Sequence, residues 1–334
     1  MFYLRRLSPL FVLLILIACT TAVPIPVLID DTPVFFPTPL ASTPTLNPTD
    51  TVTPPTIALT PKPRVPHFDH IVMFMFENKE FGTVIGSPLM PIYNKLAANY
   101  TVLTQYYAVG HPSLPNYIAL MGGETFGITS DCTGCFVNQK SLPDLIEASG
   151  RSWKTYQEDM PSPCFVGDSK PYYQKHNPFV YFDSIRTNQT RCEQNVVPFT
   201  ALQTDINAGA LPNFMFISPN ICNDAHSCTL DVTDEWLTDQ LNALVPALDK
   251  TGQTYLIILN WDEGRSSESC CGLPDKAGGK IPVVLISPLV KNGFQDDTPY
   301  THYSLLKTIS ASWGLLYLGH AADSNNVLIT APWK

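Results

Sequence analysis

The chain has 334 residues, of which 45% are hydrophobic, so it can form one large domain or two ordinary ones with a sizeable core. Its formal net charge of -9 disfavours a nucleic-acid-binding protein, because such proteins carry an excess of Lys and Arg that attracts the phosphate backbone. The charge does not exclude a phosphate substrate, since a bound metal ion can reverse the local field.

Residues 1–19 have the pattern of an export signal. Arg5 and Arg6 precede the apolar run Leu10–Ile17, which is shorter than a transmembrane helix requires. The run ends at Leu16-Ile-Ala-Cys19, which resembles the lipobox of bacterial lipoproteins. We therefore predict lipidation at Cys19 and a location on the bacterial cell surface, anchored in the membrane. If the lipobox is not used, the protein is expected to be secreted.

The stretch 20–66 differs sharply in composition from the rest of the chain. It holds twelve prolines and eleven threonines. Proline lacks a backbone donor and favours extended chain, so a packed fold is not expected there. We predict a disordered tether that joins the anchor to a folded catalytic domain over residues 67–334.

Eight cysteines follow the tether, and an even number in an exported chain favours disulfides. Sequence alone cannot choose among the roughly 105 possible connectivities. Cys132-x-x-Cys135 could also be a redox or zinc motif, but no second CxxC at zinc-ribbon spacing accompanies it. A structural disulfide is the preferred interpretation. The eight residues are Cys132, Cys135, Cys164, Cys192, Cys222, Cys228, Cys270 and Cys271.

Four continuous apolar runs predict strands that are buried on both faces, as in a parallel sheet. They are Ile71–Phe76, Phe214–Ile217, Tyr255–Leu259 and Ile281–Ile286. Helical patterns lie between them. Ser141–Gly150 has a capping Ser, an early Pro and a terminal Gly, and Thr233–Leu237 begins a helix with acids in its first turn. This alternation predicts an α/β sandwich with a mainly parallel sheet, whose chemistry collects beyond the carboxyl ends of the strands.

Polar clusters follow two of these runs, the first run directly and the third after Asn260-Trp261. Glu77 and Asn78 come after the first run, and Asp262 and Glu263 come after the third. Their oxygens are hard donors that suit one divalent cation if the two strands are neighbours. Carboxylates at strand ends are also common as loop caps or surface charges. The occurrence of both clusters favours a metal site.

Between the clusters lies the segment Gly110–Tyr117. Pro115 can occupy a first helical turn, which places Ser113 at or just before a helix N-terminus. Backbone donors and the helix dipole favour an incoming phosphoryl group there. A Ser hydroxyl is a poor nucleophile unless a base or a metal activates it. A plain N-cap serine is the ordinary alternative.

Six motifs in chain order together resemble the bacterial phosphoesterase family that includes phospholipases C and acid phosphatases, within the alkaline-phosphatase superfamily. The resemblance covers roughly residues 68–318 and implies a three-layer α/β sandwich with a mainly parallel central sheet. The motifs are Glu77-Asn78, His111–Tyr117, Lys175–Phe179, Pro219–His226, Trp261–Gly264 and His302–Leu306.

The resemblance implies that Ser113 is the nucleophile and that it joins the coordination of one divalent metal ion, Zn, Ca or Mg. The other metal neighbours are Glu77, Asn78, Asp262 and Glu263. Further catalytic candidates, for phosphate contacts, leaving-group protonation or support of the site, are His111, Asn116, His176, His226 and His302.

Two aspartates are predicted to bind substrate, Asp131 and Asp224. Asp131 lies where related phosphodiesterases have an Asn that stabilises a phosphate oxygen. A carboxylate at this position would have to be protonated or face the metal.

These residues predict a metal-dependent hydrolase that acts on a small-molecule or lipid phosphate ester through a phosphoserine. The larger phospholipases of the family continue beyond the catalytic domain, whereas this sequence ends soon after the His302 segment, so an acid-phosphatase-like phosphomonoesterase is the preferred interpretation. A phospholipase C-type phosphodiesterase is the alternative. A surface lipoprotein that binds a phosphate ligand without turnover is disfavoured, because Ser113 and both acidic clusters are present. We expect no nucleic-acid partner.

Overall fold

The computed structural model describes residues 64–334. The export signal, Cys19 and nearly all of the tether lie outside the described residues. The chain enters the core at Phe68, which is fully buried. The backbone carbonyl of Phe68 accepts a hydrogen bond of 2.6 Å from the indole of Trp313.

Ten strands form in the described part of the chain. In chain order they are β1 His70–Phe76, β2 Thr101–Leu103, β3 Tyr106–Tyr107, β4 Trp153–Gln157, β5 Val196–Pro198, β6 Phe214–Ser218, β7 Tyr255–Trp261, β8 Val283–Ile286, β9 Phe294–Asp296 and β10 Tyr300–Thr301. Eight of them form one sheet in the order β5-β4-β6-β1-β7-β8-β2-β9, and β3 pairs with β10.

Most strands of the large sheet are parallel, which confirms the predicted fold class. β1 is buried along its whole length and runs parallel to β6 on one side and β7 on the other. β8 is the exception, since it runs antiparallel to both β7 and β2. Its sequence reads like that of a parallel strand because a central antiparallel strand is also covered on both faces.

Nine α-helices and three short 3-10 helices connect these strands within residues 64–334. The α-helices are α1 Phe81–Val84, α2 Pro91–Asn99, α3 Ser113–Gly122, α4 Leu142–Ala148, α5 Asp183–Arg186, α6 Gln189–Asn195, α7 Thr200–Ala208, α8 Leu230–Thr251 and α9 His302–Ser312. The 3-10 helices are Gln174–His176, Pro178–Tyr181 and Gly319–Ala322.

Both predicted helices are present. α4 has the expected capping serine, because Ser141 and Asp144 form a reciprocal capping box. α8 begins at Leu230, earlier than the predicted start at Thr233. Thr229 has extended backbone and acts as the N-cap, so the helix starts at the residue that follows it.

Aromatic contacts show that helices cover both faces of the sheet. Phe74 of β1 packs edge-on against Trp236 of α8. Phe216 of β6 contacts Tyr117 of α3 and is in register with Met73. Successive residues of a strand point to opposite faces, so α3 and α8 lie on opposite sides of the sheet. The result is the expected three-layer sandwich.

Disulfides join all eight cysteines of the described chain, which confirms that prediction and supplies the pairing that the sequence could not give. The pairs are Cys132–Cys135, Cys164–Cys192, Cys222–Cys228 and Cys270–Cys271. Across residues 64–334, none of the helices combines the length and the apolar character that a membrane span requires.

Candidate active site

The central strands deliver their polar residues to one edge of the sheet. In the paired strands β1 and β7, Phe76 lies opposite Trp261, so the next residues, Glu77 and Asp262, emerge side by side. The backbone N–H of Asp262 donates to the carbonyl of Phe76 at 2.9 Å. β6 flanks β1 on its other side, and the loop after β6 brings the carbonyl of Asp224 within 2.8 Å of the Glu77 N–H. Three neighbouring strands therefore contribute carboxylates to one place.

Ser113 lies among these carboxylates. It is the first residue of α3, and its side chain is almost completely buried. Its Oγ is 2.9 Å from Glu77 Oε2 and 3.3 Å from Glu263 Oε1. The single hydroxyl hydrogen can be donated to one of them at a time. Glu77 is the nearer acceptor for the proton of this hydroxyl.

Asn116, which is predicted to be catalytic, makes its side-chain hydrogen bonds with the loop that precedes Ser113. Its side-chain oxygen accepts the N–H of Val109 at 2.9 Å, and its amide donates to the carbonyl of Gly110 at 2.8 Å. Asn116 is fully buried. These contacts are all with backbone, so the residue fixes the position of the nucleophile loop.

Glu77 is the most heavily contacted carboxylate of the site. Its Oε1 accepts the hydroxyl of Tyr117 at 2.5 Å and lies 3.1 Å from His176 Nε2. Its Oε2 also accepts the side-chain amide of Asn78 at 3.0 Å. Burial, together with the charge of Asp262, raises the pKa of Glu77 above its ordinary value. Without a compensating cation, the ionised form of this group is costly.

His176 continues this cluster toward Asp224. Its Nδ1 lies 3.2 Å from Asp224 Oδ2, and its side chain is buried. Glu77, His176 and Asp224 each offer one ligand atom, and the three atoms lie within 4.8 Å of one another. The sequence predicts substrate binding by Asp224 and a catalytic role for His176, whereas the structure places both in a group that could hold a metal ion.

The predicted oxygen cluster lies on the other side of Ser113. Asp262 Oδ1 accepts the backbone N–H of Asn78 at 2.9 Å. Its Oδ2 is buried and has no hydrogen-bond partner within residues 64–334. Burial and the charge of Glu77 raise the pKa of Glu263 to about 8, and burial and the charge of Glu263 raise the pKa of Asp262 well above its ordinary value.

This donor set fits a divalent cation. Buried carboxylates persist when they are paired or bind metal, and Asp262 Oδ2 and Asp224 Oδ2 are both buried without a hydrogen-bond partner within residues 64–334. The oxygen set around Asp262 suits Ca²⁺ or Mg²⁺, and the set that includes the His176 imidazole suits Zn²⁺. Glu77 is common to both sets.

His302 supports the Asp262 strand end. It is the first residue of α9 and is fully buried. Its Nε2 donates to the carbonyl of Asp262 at 2.7 Å, so its Nδ1 accepts the hydroxyl of Tyr106 at 3.1 Å. Burial lowers the pKa of His302 to about 4. Of the roles predicted for this residue, its contacts match support of the site.

The remaining two histidines lie at the margins of the site. His111 contacts the Glu263 carboxylate through Nδ1, and its Nε2 lies 2.9 Å from the carbonyl of Ser266. His226 is exposed, and its backbone N–H donates to Asp224 Oδ1 at 2.7 Å. Partial burial, followed by the positive charge of Lys175, lowers the pKa of His226 to about 4.

Lys175 is a site residue that the sequence analysis did not assign. Its Nζ is 3.4 Å from Ser113 Oγ and 3.1 Å from Asp131 Oδ2. Asp131 Oδ1 also accepts the backbone N–H of Leu114 at 3.0 Å. Asp131 is therefore ion-paired, an arrangement that differs from the protonated or metal-facing carboxylate expected from sequence. In the sequence, Lys175 stands directly before His176 in the motif Lys175–Phe179, which could have drawn attention to it. Its contact with Asp131 joins residues far apart in the chain and could not be predicted from the sequence.

A cavity of about 450 Å³ adjoins the nucleophile segment. Its lining includes His111 and Pro115, which flank Ser113 in the chain. Leu273, Tyr303 and His320 contribute to the rest of its wall. Ser113 and the carboxylates around it are not among the residues that line this cavity.

The family model described as the Phosphoesterase family matches residues 87–316. A phosphate-repressible acid phosphatase of Penicillium chrysogenum is 36% identical over 273 residues, which cover 78% of this chain and 63% of the relative. A phosphatidylinositol-3-phosphatase of Mycobacterium tuberculosis is 33% identical over 264 residues, which cover 78% of this chain and 82% of the relative. The chain thus spans less than two thirds of the length of the fungal relative.

Solved structures agree on the fold. Murine ectonucleotide pyrophosphatase/phosphodiesterase 5 superposes with a TM-score of 0.52 at 10% identity, covering 75% of this chain and 96% of the other. The family match spans more than half of the chain, and it includes Ser113, Lys175, Asp224 and the Asp262-Glu263 pair. The chain belongs to the Phosphoesterase family.

Proposed function

We propose that this chain hydrolyses phosphate monoesters in the manner of an acid phosphatase, through a phosphoserine formed on Ser113. The observation that carries the proposal is the position of the Ser113 hydroxyl, at a helix start and between the Glu77 and Glu263 carboxylates. The relatives support it, because the names of the two similar proteins are those of phosphatases.

In the first step, the Oγ of Ser113 attacks phosphorus in line with the bond to the leaving alcohol. Glu77 Oε2, at 2.9 Å, takes the hydroxyl proton. The bond from phosphorus to the alcohol oxygen breaks, and the alcohol leaves on the side opposite Ser113 with a proton from solvent. A water molecule then attacks the phosphoserine from that side and gives up one proton to solvent. The bond between phosphorus and Ser113 Oγ breaks, Glu77 returns its proton to that oxygen, and phosphate leaves.

Several side chains act by holding the nucleophile and its base in place. Asn116 fixes the loop before Ser113, and Tyr117 and Asn78 orient the Glu77 carboxylate. His302 holds the Asp262 strand end. Such preorganisation supplies much of the rate in phosphoryl transfer, where positioning and charge neutralisation dominate.

We propose one divalent cation, held by Glu77, Asp262 and Glu263 with Asn78 and Ser113 beside them. When bound, it lowers the pKa of the serine hydroxyl and neutralises charge on the phosphate oxygens. The orphaned Asp262 Oδ2 supports this set.

Hydrolysis of a phosphodiester, as in a phospholipase C, is the competing activity, because attack by Ser113 and release of an alcohol suit both substrates. A direct comparison separates them. We expect the metal-loaded protein to hydrolyse p-nitrophenyl phosphate with a higher kcat/KM than bis(p-nitrophenyl) phosphate. A preference for the diester would replace the phosphatase by the phosphodiesterase. Stoichiometric phosphate binding with no turnover of either ester would support the non-catalytic binding lipoprotein.

We also propose that the protein is exported and lipid-anchored at Cys19. The support for this comes from the Arg5-Arg6 pair, the apolar run and the lipobox-like segment. A membrane anchor would bring the catalytic domain to substrates outside the cytoplasm.

A further inference from the structure

Lys175 places a fixed positive charge in a site otherwise built of carboxylates. Its side chain is only 15% exposed. Its Nζ contacts the Ser113 hydroxyl and the Asp131 carboxylate. In the proposed mechanism, the ammonium group neither binds the metal ion nor takes part in the proton transfer. Its burial beside the nucleophile therefore suggests a separate function.

The contacts of the preceding residue, Gln174, fix the backbone next to this lysine. It lies in the 3-10 helix Gln174–His176, and Gln174 is fully buried. The backbone N–H of Gln174 donates to Asp168 at 2.9 Å, and its side-chain amide donates to the carbonyl of Thr133 at 2.9 Å. Asp131 Oδ2 holds the ammonium group in an ion pair at 3.1 Å. The charge is therefore preorganised, which is the condition for a strong effect on a transition state.

The ammonium group is within reach of the phosphoryl group that reacts. Phosphorus becomes bonded to Ser113 Oγ, and Nζ already lies 3.4 Å from that oxygen. An oxygen of the transferred group can therefore take the place of the serine hydroxyl as the acceptor of the lysine N–H. The hydrogen bond between an ammonium and a phosphoryl oxygen is charge-assisted and stronger than one between neutral partners.

We propose that Lys175 selects phosphate monoesters over diesters by pairing with the second negative charge of the monoester. This inference rests on the proposed phosphoserine mechanism. A monoester carries nearly two negative charges above its second pKa of about 6, whereas a diester carries one. Attraction by the ammonium group is therefore stronger for the doubly charged monoester than for the singly charged diester.

The test is the Lys175→Met variant, which keeps most of the side-chain volume and removes the charge. We expect kcat/KM for p-nitrophenyl phosphate to fall about 100-fold, and kcat/KM for bis(p-nitrophenyl) phosphate to change less than about threefold. Lys175→Arg, which keeps the charge, should retain a clear preference for the monoester. The matched control is Lys154→Met, because Lys154 is also a partly buried lysine in an ion pair, with Asp205 at 2.7 Å. The control should keep the wild-type ratio.

Binding of inorganic phosphate gives a second readout that needs no turnover. Isothermal titration of the metal-loaded proteins above the second pKa of phosphate, at about pH 8, should show affinity about tenfold weaker in Lys175→Met than in wild type. Metal content and thermal unfolding of the variant should equal those of wild type. A variant that has lost its metal or its fold would show that Lys175 is structural, and it would overturn the inference.

The outcomes separate this inference from the proposed function. If wild type hydrolyses the monoester and Lys175→Met keeps the same monoester-to-diester ratio, the selectivity inference is wrong and the phosphatase stands. If kcat/KM falls by the same factor for both esters, Lys175 assists the phosphoryl transfer without selecting the substrate, and the selectivity inference is wrong. If wild type hydrolyses neither ester, the proposed function fails, and the inference fails with it.

Discussion

The two oxygens of Glu77 show how much of this site depends on single residues. They receive the hydroxyls of Ser113 and Tyr117 and the amide of Asn78, and they approach His176. Each neighbour stabilises the ionised carboxylate that the burial of Glu77 disfavours. Glu77 therefore links the proposed nucleophile to both groups of metal donors.

Substitution of single aspartates locates the cation. We expect Asp262→Ala to lose bound metal by more than about tenfold in affinity, because Asp262 Oδ2 has no protein partner in the described chain. Asp224→Ala should retain the metal, because Asp224 lies outside the set of Glu77, Asp262 and Glu263 that we propose as ligands of the cation. Metal content by mass spectrometry after exhaustive dialysis is the measurement. The reverse pattern would place the cation between Glu77, His176 and Asp224.

The sequence could predict those site residues that follow a predicted strand. Glu77 and Asp262 follow adjacent buried strands, so their convergence is a consequence of strand order. The contact between Lys175 and Asp131 is different, because it joins two loops distant in the chain. Hydrophobic periodicity carries no information about such a contact. The contacts of Asn116 with the loop backbone, and that of His302 with the Asp262 carbonyl, could not be predicted for the same reason.

At the scale of elements, the strands were easier to predict than their directions or the helix ends. All four apolar runs form strands, because a run buried on both faces must be apolar throughout. The sequence of β8 does not indicate that this strand runs antiparallel to its neighbours. The start of α8 depends on the extended backbone of Thr229, a feature set by the loop that precedes it.

The Cys164–Cys192 disulfide ties a loop after β4 to helix α6 across a sequence separation of 28. Replacing both cysteines by Ala should lower the free energy of unfolding by about 2–5 kcal/mol, because the unfolded chain gains the entropy of the opened loop. The Cys222–Cys228 pair has a separation of only 6, so its removal should cost less. Urea unfolding of both double variants tests this order. An equal or reversed loss would contradict the loop-entropy explanation.

In the whole molecule, the catalytic domain determines the chemistry, whereas the N-terminal segment determines where the protein is located. The domain belongs to the Phosphoesterase family over residues 87–316. Its relatives occur in fungi and bacteria, so the family alone does not fix where the protein acts. The location depends on residues 1–66, whose sequence predicts a signal, a lipidated Cys19 and a tether.

Anchoring is tested with the full-length chain expressed in a bacterial host. Cys19→Ser removes the thiol that would carry the lipid, so the variant should move from the membrane fraction to the soluble extracytoplasmic fraction. Globomycin, which blocks lipoprotein signal cleavage, should leave a longer precursor of the wild type. Membrane retention of Cys19→Ser equal to that of wild type would mean that the protein is held in another way.

The central claim is that Ser113 carries the phosphoryl group, and trapping that intermediate tests it most directly. Metal-loaded protein is mixed with a phosphate monoester, quenched in acid within one turnover, digested and analysed by mass spectrometry. We predict phosphate on the peptide that contains Ser113 and none in Ser113→Ala. That variant should lose turnover by more than about 10³-fold, because no other group replaces the nucleophile. Its stability should fall by only about 1–3 kcal/mol, the typical contribution of a hydrogen bond to a charged group such as the one that the Ser113 hydroxyl donates to Glu77. Phosphate on another residue, or near wild-type turnover by Ser113→Ala, would contradict the mechanism.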